Sequence, residues 1–121
     1  MTHRIAWFDM PVKDLGRASD FYSKVLDVEI ETYGPDVPVA VMQHGPGDVA
    51  GCLYREDGCE PSSRGALLYF AVEGRINEAV ALIEFNGGQV LEPVKSIAPH
   101  GHRAVVLDTE GNRIALRSEE I

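Results

Sequence analysis

The chain matches itself at a shift of about 60 residues. Trp7 falls on Leu67, Val12 on Val72, Leu15 on Ile76, Ala18 on Ala79, Phe21 on Leu82, and near the ends Cys52-Leu53 falls on Ala115-Leu116. A repeat of this length means that each half is one supersecondary unit, so whatever the first half folds into, the second half must fold into again.

Residues Arg4 to Val12 read as a strand with Ala6, Phe8 and Met10 on one face and Ile5, Trp7 and Asp9 on the other. Asp14 offers an N-cap carboxylate. Leu15, Ala18, Phe21 or Tyr22, Val25 and Leu26 then recur at helical spacing, which predicts an amphipathic helix over 15–26. Val28 to Tyr33, Pro38 to His44 and Val49 to Arg55 read as three strands separated by Gly34-Pro35-Asp36 and Gly45-Pro46-Gly47-Asp48. The order is β-α-β-β-β. After the polar stretch Glu56 to Gly65 it restarts, with a strand at Ala66 to Val72, a helix at Ile76 to Asn86 stopped by Gly87-Gly88, and a strand at Gln89 to Pro93. The closing hairpin runs from His102 to Leu107, turns at Asp108 to Asn112 and returns from Arg113. The expected fold class is α+β, a single domain of residues 1–121 built from two βαβββ units at about 3–56 and 66–118, joined by a linker at about 57–65. Each unit has one helix on one face of its sheet, and the two open faces together are expected to make a cleft.

The hairpin tip D-x-x-G-N at Asp108 to Asn112, followed by I-x-L at Ile114 to Leu116, resembles the final hairpin of the vicinal oxygen chelate family. That family includes glyoxalase I, bleomycin-resistance proteins and extradiol dioxygenases. The opening P-V-x-D-L-x-R-A-x-x-F-Y-x-x-V-L at Pro11 to Leu26 is similar to the family's opening. Together with G-C-E-P-S-S at Gly58 to Ser63 and D-T-E-G-N-R at Asp108 to Arg113, it resembles a subgroup of small bacterial, glyoxalase-related members. The resemblance covers Ile5 to Ser118 and implies the paired βαβββ fold and a homodimer. Strand edges and apolar sheet surface that a two-fold partner could cover are a physical reason to expect the same.

Catalytic members of the family hold one divalent metal with a side chain from the first and last strand of each unit. Carried onto this chain, those positions are Trp7, Cys52, Leu67 and Ala115. An indole, an isobutyl group and a methyl group supply no donor to a divalent cation, so no metal cofactor is expected here. Asp9 shares the face of Trp7. Trp7 reads either as a stacking wall for a flat ligand or as a plug in a metal-free cavity. Tyr54 and Tyr69 share its parity and read as further walls or as core aromatics with wet hydroxyls. Arg113 and Arg117 share the parity of Ala115, where they clamp a carboxylate or pair with surface acids. His100 and His102 stand at i, i+2 in a Pro-Gly loop, as a potential chelating or acid–base pair or as solvated side chains. Cys52 reads as a small buried hydrophobe.

Nineteen acidic and eleven basic residues give a formal charge of −8, a sign that disfavours nucleic acid and anionic membranes. No run approaches the ~18 apolar residues of a membrane span, and no secretory leader is evident, so a cytoplasmic location is expected. The two cysteines are seven apart, without metal or redox spacing. Two functions follow. One is a metal-free, small-molecule-binding member of the family, with ligand contacts from Trp7, Asp9, Cys52, Tyr54, Leu67, Tyr69, His102, Arg113 and Ala115 and no cofactor. The other is an enzyme, a lyase or isomerase of the glyoxalase I type that uses a divalent metal to polarise a carbonyl.

Overall fold

A computed structural model describes residues 4–121 of the chain. The expected start of the first unit, at about residue 3, lies outside that range. The first unit runs β1 (Trp7–Pro11), α1 (Leu15–Val25), β2 (Ile30–Thr32), β3 (Val39–Met42) and β4 (Ala50–Tyr54). The second runs β5 (Leu68–Ala71), α2 (Ile76–Phe85), β6 (Gln89–Ser96), β7 (His102–Leu107) and β8 (Arg113–Ser118). Each forms a four-stranded sheet, in the orders β1-β4-β3-β2 and β5-β8-β7-β6, with one parallel pair, β1/β4 or β5/β8. The repeat holds in register: Asp9 lies opposite Cys52 in the first parallel pair and Tyr69 opposite Ala115 in the second. Among the described residues no helix is long and apolar enough to cross a membrane.

Local chemistry sets the element ends. Asp14 has extended φ and ψ and accepts the Arg17 amide at 3.0 Å, so α1 starts with the N-cap expected of it. Both Phe21 and Tyr22 are buried along its stripe. At the end of α2, Gly88 donates its amide to the Ile83 carbonyl at 2.8 Å. A Cβ at Gly88 would stand 2.6 Å from the Leu107 carbonyl oxygen, so only glycine lets the backbone pass this close to β7. Strand β6 runs to Ser96, beyond the expected stop at Pro93. It is the edge of its sheet, where a missing amide donor removes no ladder bond, and register shifts on both sides of Glu92 absorb the distortion.

The two units share one core. Met10, Val12, Phe21, Tyr22 and Leu53 of the first unit join Val72, Ile76, Ile83, Ile114 and Leu116 of the second. Phe8 meets Phe70 edge-on at 5.6 Å between ring centres, α1 touches α2, and Arg75 of the second unit donates to the Val25 carbonyl at 2.9 Å. Both helices therefore lie on the inner side, and the bare faces of the two sheets look outward. The expected cleft between open faces does not form inside one chain, because the faces that meet are the apolar, helix-covered ones. A single shared core buries more hydrocarbon than two half-cores could.

The turn between β7 and β8 fastens the units together. Glu110, with its side chain fully buried, accepts the amides of Lys13 and Asp14 at 2.8 Å each, Arg17 Nε at 2.7 Å and Nη2 at 2.9 Å, and the Thr109 hydroxyl at 2.8 Å. Burial alone would push this carboxyl up, but the Arg17 guanidinium and the three other donors hold it at about 2. Asp108 accepts the Tyr22 hydroxyl at 2.6 Å and the amides of Glu110 and Asn112 at 2.7 and 2.9 Å. Asn112 in turn donates to the Pro11 carbonyl at 2.8 Å. The hairpin tip thus completes the start of α1, about a hundred residues upstream.

Candidate functional site

Side chains at odd positions in β1 and even positions in β4 stand on the bare face of the first sheet. Trp7, Asp9, Cys52 and Tyr54 are among them, and three of these touch. Trp7 Nε1 donates to Asp9 Oδ1 at 2.7 Å, and Cys52 Sγ donates to the same oxygen at 3.0 Å. These two bonds, that from Cys52 foremost, hold the Asp9 carboxyl below its ordinary range. His44 abuts the indole edge-on, 6.2 Å between ring centres. The indole is nevertheless 46% exposed, so within one chain it does not fill a closed cavity. Tyr54 is half-buried on the same face, close to Cys59.

Cys52 is buried, and desolvation together with the bond to Asp9 pushes its thiol up to about 12. Cys59 is partly exposed and donates to Glu56 at 3.1 Å, which also raises its pKa. Iodoacetamide at neutral pH should therefore modify Cys59 slowly and Cys52 only after unfolding. Peptide mapping by mass spectrometry checks this, and prompt labelling of Cys52 in the folded protein would show a thiolate that these bonds forbid.

On the second sheet Ala115 is fully buried on the bare side, with Tyr69 beside it on β5 and 45% exposed. Leu67 is half-buried just before β5, on the parity of Tyr69. Arg113 shares the parity of Ala115 and lies within charge range of Glu92. Arg117 is engaged elsewhere, by Glu119 at 3.0 Å, Glu73 at 3.7 Å and the His100 carbonyl at 2.9 Å, as the surface reading expected. His102 does not join this face. It pairs with Ser118 and shares the parity of buried Ala104 and Val106, which turns it to the helix-covered side. His100 is an exposed loop residue.

Sequence reasoning missed Arg103 and Glu92. Arg103 donates to the Tyr69 hydroxyl at 2.5 Å and to Glu92 at 3.5 Å, and Lys95 reaches Glu92 at 3.2 Å. The guanidinium lies 6.0 Å from the centre of the Tyr69 ring. Alternation along β7 carried the signal, since Arg103 stands one residue from His102 and on the other face. The two histidines drew attention to the wrong parity.

The expected contacts therefore form two groups on two outward faces, Trp7–Asp9–Cys52 with Tyr54, and Tyr69–Ala115–Arg113 with Leu67. At the four positions implied as metal-holding, only the Cys52 sulfur is a potential donor; Asp9 is the neighbouring carboxylate. Among the described residues no group of three or more His, Cys, Asp or Glu is placed to hold a metal ion.

The profile of the Glyoxalase/Bleomycin resistance protein/Dioxygenase superfamily matches residues 4–116. No curated protein matches by sequence. Solved structures match over nearly the whole chain. A glyoxalase/bleomycin resistance protein from Albidiferax ferrireducens T118 aligns with a TM-score of 0.77 at 17% identity, covering 96% of this chain and 98% of that one. A glyoxalase/bleomycin resistance protein/dioxygenase family enzyme from Burkholderia phytofirmans PsJN aligns with 0.76 at 17% identity, covering 93% and 96%. The fosfomycin resistance protein FosX from Listeria monocytogenes aligns with 0.70 at 14% identity, covering 98% and 94%. Names this varied on one backbone, at identities this low, carry the fold and not the chemistry.

Proposed function

Because the chain belongs to the Glyoxalase/Bleomycin resistance protein/Dioxygenase superfamily, we propose that it is a small-molecule-binding member working without a metal, with its ligand held against the bare sheet faces of a homodimer. The observation that carries this reading is Trp7. Its indole is oriented by the bond to Asp9 and by the edge contact with His44, yet almost half of its surface is open. A ring that is already fixed loses little rotamer freedom when a flat ligand stacks on it. Tyr54 on the same face and Tyr69 on the other sheet add aromatic walls.

The outward direction of both faces supports the dimer. One sheet face is half of a cleft, and a second copy supplies the other half, covering the unpaired edges of β1 and β5 as it does so. The donor set argues for a metal-free site: one thiol and one carboxylate fall short of the three protein ligands that catalytic divalent sites use.

Three measurements on the purified protein test the reading together. Light scattering over a range of concentrations is expected to give a dimer. Tryptophan emission is expected to change on titration with planar aromatic compounds. Metal content after mild chelation and re-addition of divalent ions is expected to stay substoichiometric. Stoichiometric metal would favour a lyase or isomerase of the glyoxalase type instead, and a monomer at every concentration would remove the shared cleft.

A further inference from the structure

The bare face of the second sheet carries more positive charge than its own acids neutralise, in a chain whose formal charge is −8. Lys95, Arg103 and Arg113 all act on Glu92, the one carboxylate that pairs with this cluster among the described residues. Arg117, directly opposite Arg103 across β7 and β8, is neutralised separately by Glu73 and Glu119. Like charges placed opposite each other across strands are unfavourable unless an anion offsets them. Arg103 is also incompletely used: its Nε is buried without a partner, while one Nη holds Tyr69 and the other reaches Glu92 only at 3.5 Å. The Tyr69 hydroxyl accepts from Arg103, which leaves its own proton free to donate from an exposed ring.

We propose that Arg103, Tyr69, Arg113 and Lys95 form an oxyanion subsite that binds the carboxylate or phosphate group of a small molecule. Floor and chemistry fit together. Val105 and Ala115 are buried beneath the cluster and present no competing acceptor, and a planar guanidinium beside a phenol O–H matches two oxygens of one anionic group. This rests on the preceding reading in placing a ligand on the bare faces, and adds that the ligand is an anion, with the aromatic contact on the first sheet and the charge on the second.

Benzoate, benzamide and inorganic phosphate are suitable probes, followed through the arginine Nε–H resonances in nitrogen-15 NMR spectra. Benzoate or phosphate is expected to shift the signals of Arg103 and Arg113 before that of exposed Arg4. Benzamide, the same ring without the charge, is expected to bind at least about tenfold more weakly. Arg103→Gln is expected to lose at least about tenfold of the anion affinity, and Tyr69→Phe, which keeps the ring, to weaken it without loss of fold. Arg4→Gln should change nothing. Benzoate binding tighter than phosphate identifies a carboxylate site, and the reverse order a phosphate site. Equal shifts at Arg4, Arg55, Arg64 and Arg103 would mean general ion condensation and overturn the subsite. Neutral aromatics changing Trp7 emission while no anion moves Arg103 would overturn the subsite and leave the binding reading standing. The converse pattern would keep the subsite and remove the role of Trp7.

Discussion

Replacing Glu110 by alanine is expected to lower the free energy of unfolding by about 3–5 kcal/mol, which for a chain of this size is a fall in melting temperature of roughly 12–20 °C. The size of the effect comes from what remains. Two backbone amides at the start of α1, a guanidinium and a hydroxyl all converge on this fully buried carboxylate, and a methyl group accepts from none of them. Arg17 is half exposed and recovers water, so most of the loss falls on the Lys13 and Asp14 amides and on the docking of the hairpin tip. The pH dependence separates this bond network from simple packing. The Glu110 carboxyl sits at about 2 in the folded chain against a usual 4.5, so its contribution is complete above pH 4.5 and disappears as pH falls toward 2. A shift of that size corresponds to about 3 kcal/mol. Denaturant unfolding at several pH values should show a wide gap between the native chain and Glu110→Ala at pH 6 that narrows by most of that amount as pH falls to 2. A gap of constant width would mean that the charge of Glu110 contributes nothing.

This network also marks how far the sequence alone can be read. The stretch Asp108 to Arg113 is recognisable as a hairpin tip from its turn residues, and as a family motif from its order of residues. That the acids in it serve α1 is invisible to any local rule, because Tyr22, Lys13 and Asp14 lie about a hundred residues away. Element type was readable wherever one face is apolar: the stripe of α1, the alternation of β1 and the period of the repeat all give the observed register. The relative placement of the units was not readable. A repeat predicts two open sheet faces whichever sides the units turn to each other. Only packing decides between them, and Phe8 on Phe70, with Phe21 close to Ile83 and Gly88, turns the helices inward. Arg103 went unnoticed for a related reason. In a strand of buried β-branched residues a single arginine reads as a stray charge until its neighbours across the sheet, Tyr69 and Glu92, are known.

Trp7→Ala is expected to weaken binding of planar ligands by roughly ten- to a hundredfold, from the lost stacking and the lost contact area, while costing the single chain only about 1 kcal/mol of stability. Had the indole been a buried plug, the same change would cost roughly 3–5 kcal/mol. Exposure of 46% argues for the smaller figure, since water already covers much of the ring and no closed cavity is left behind. Asp9 loses one donor and keeps Cys52. Trp7→Phe discriminates further: it keeps an aromatic wall and drops only the Nε1 bond, so it should recover most of the affinity. Calorimetric titration reads binding in both variants, neither of which retains a tryptophan, and thermal unfolding reads stability. If the two copies close over this face, Trp7→Ala also weakens the dimer, and light scattering at falling protein concentration separates that loss from the loss of ligand. A variant that melts far below the native chain yet binds as before would make Trp7 a structural residue and return the ligand to the second sheet, where Tyr69 and Arg103 would have to hold it alone.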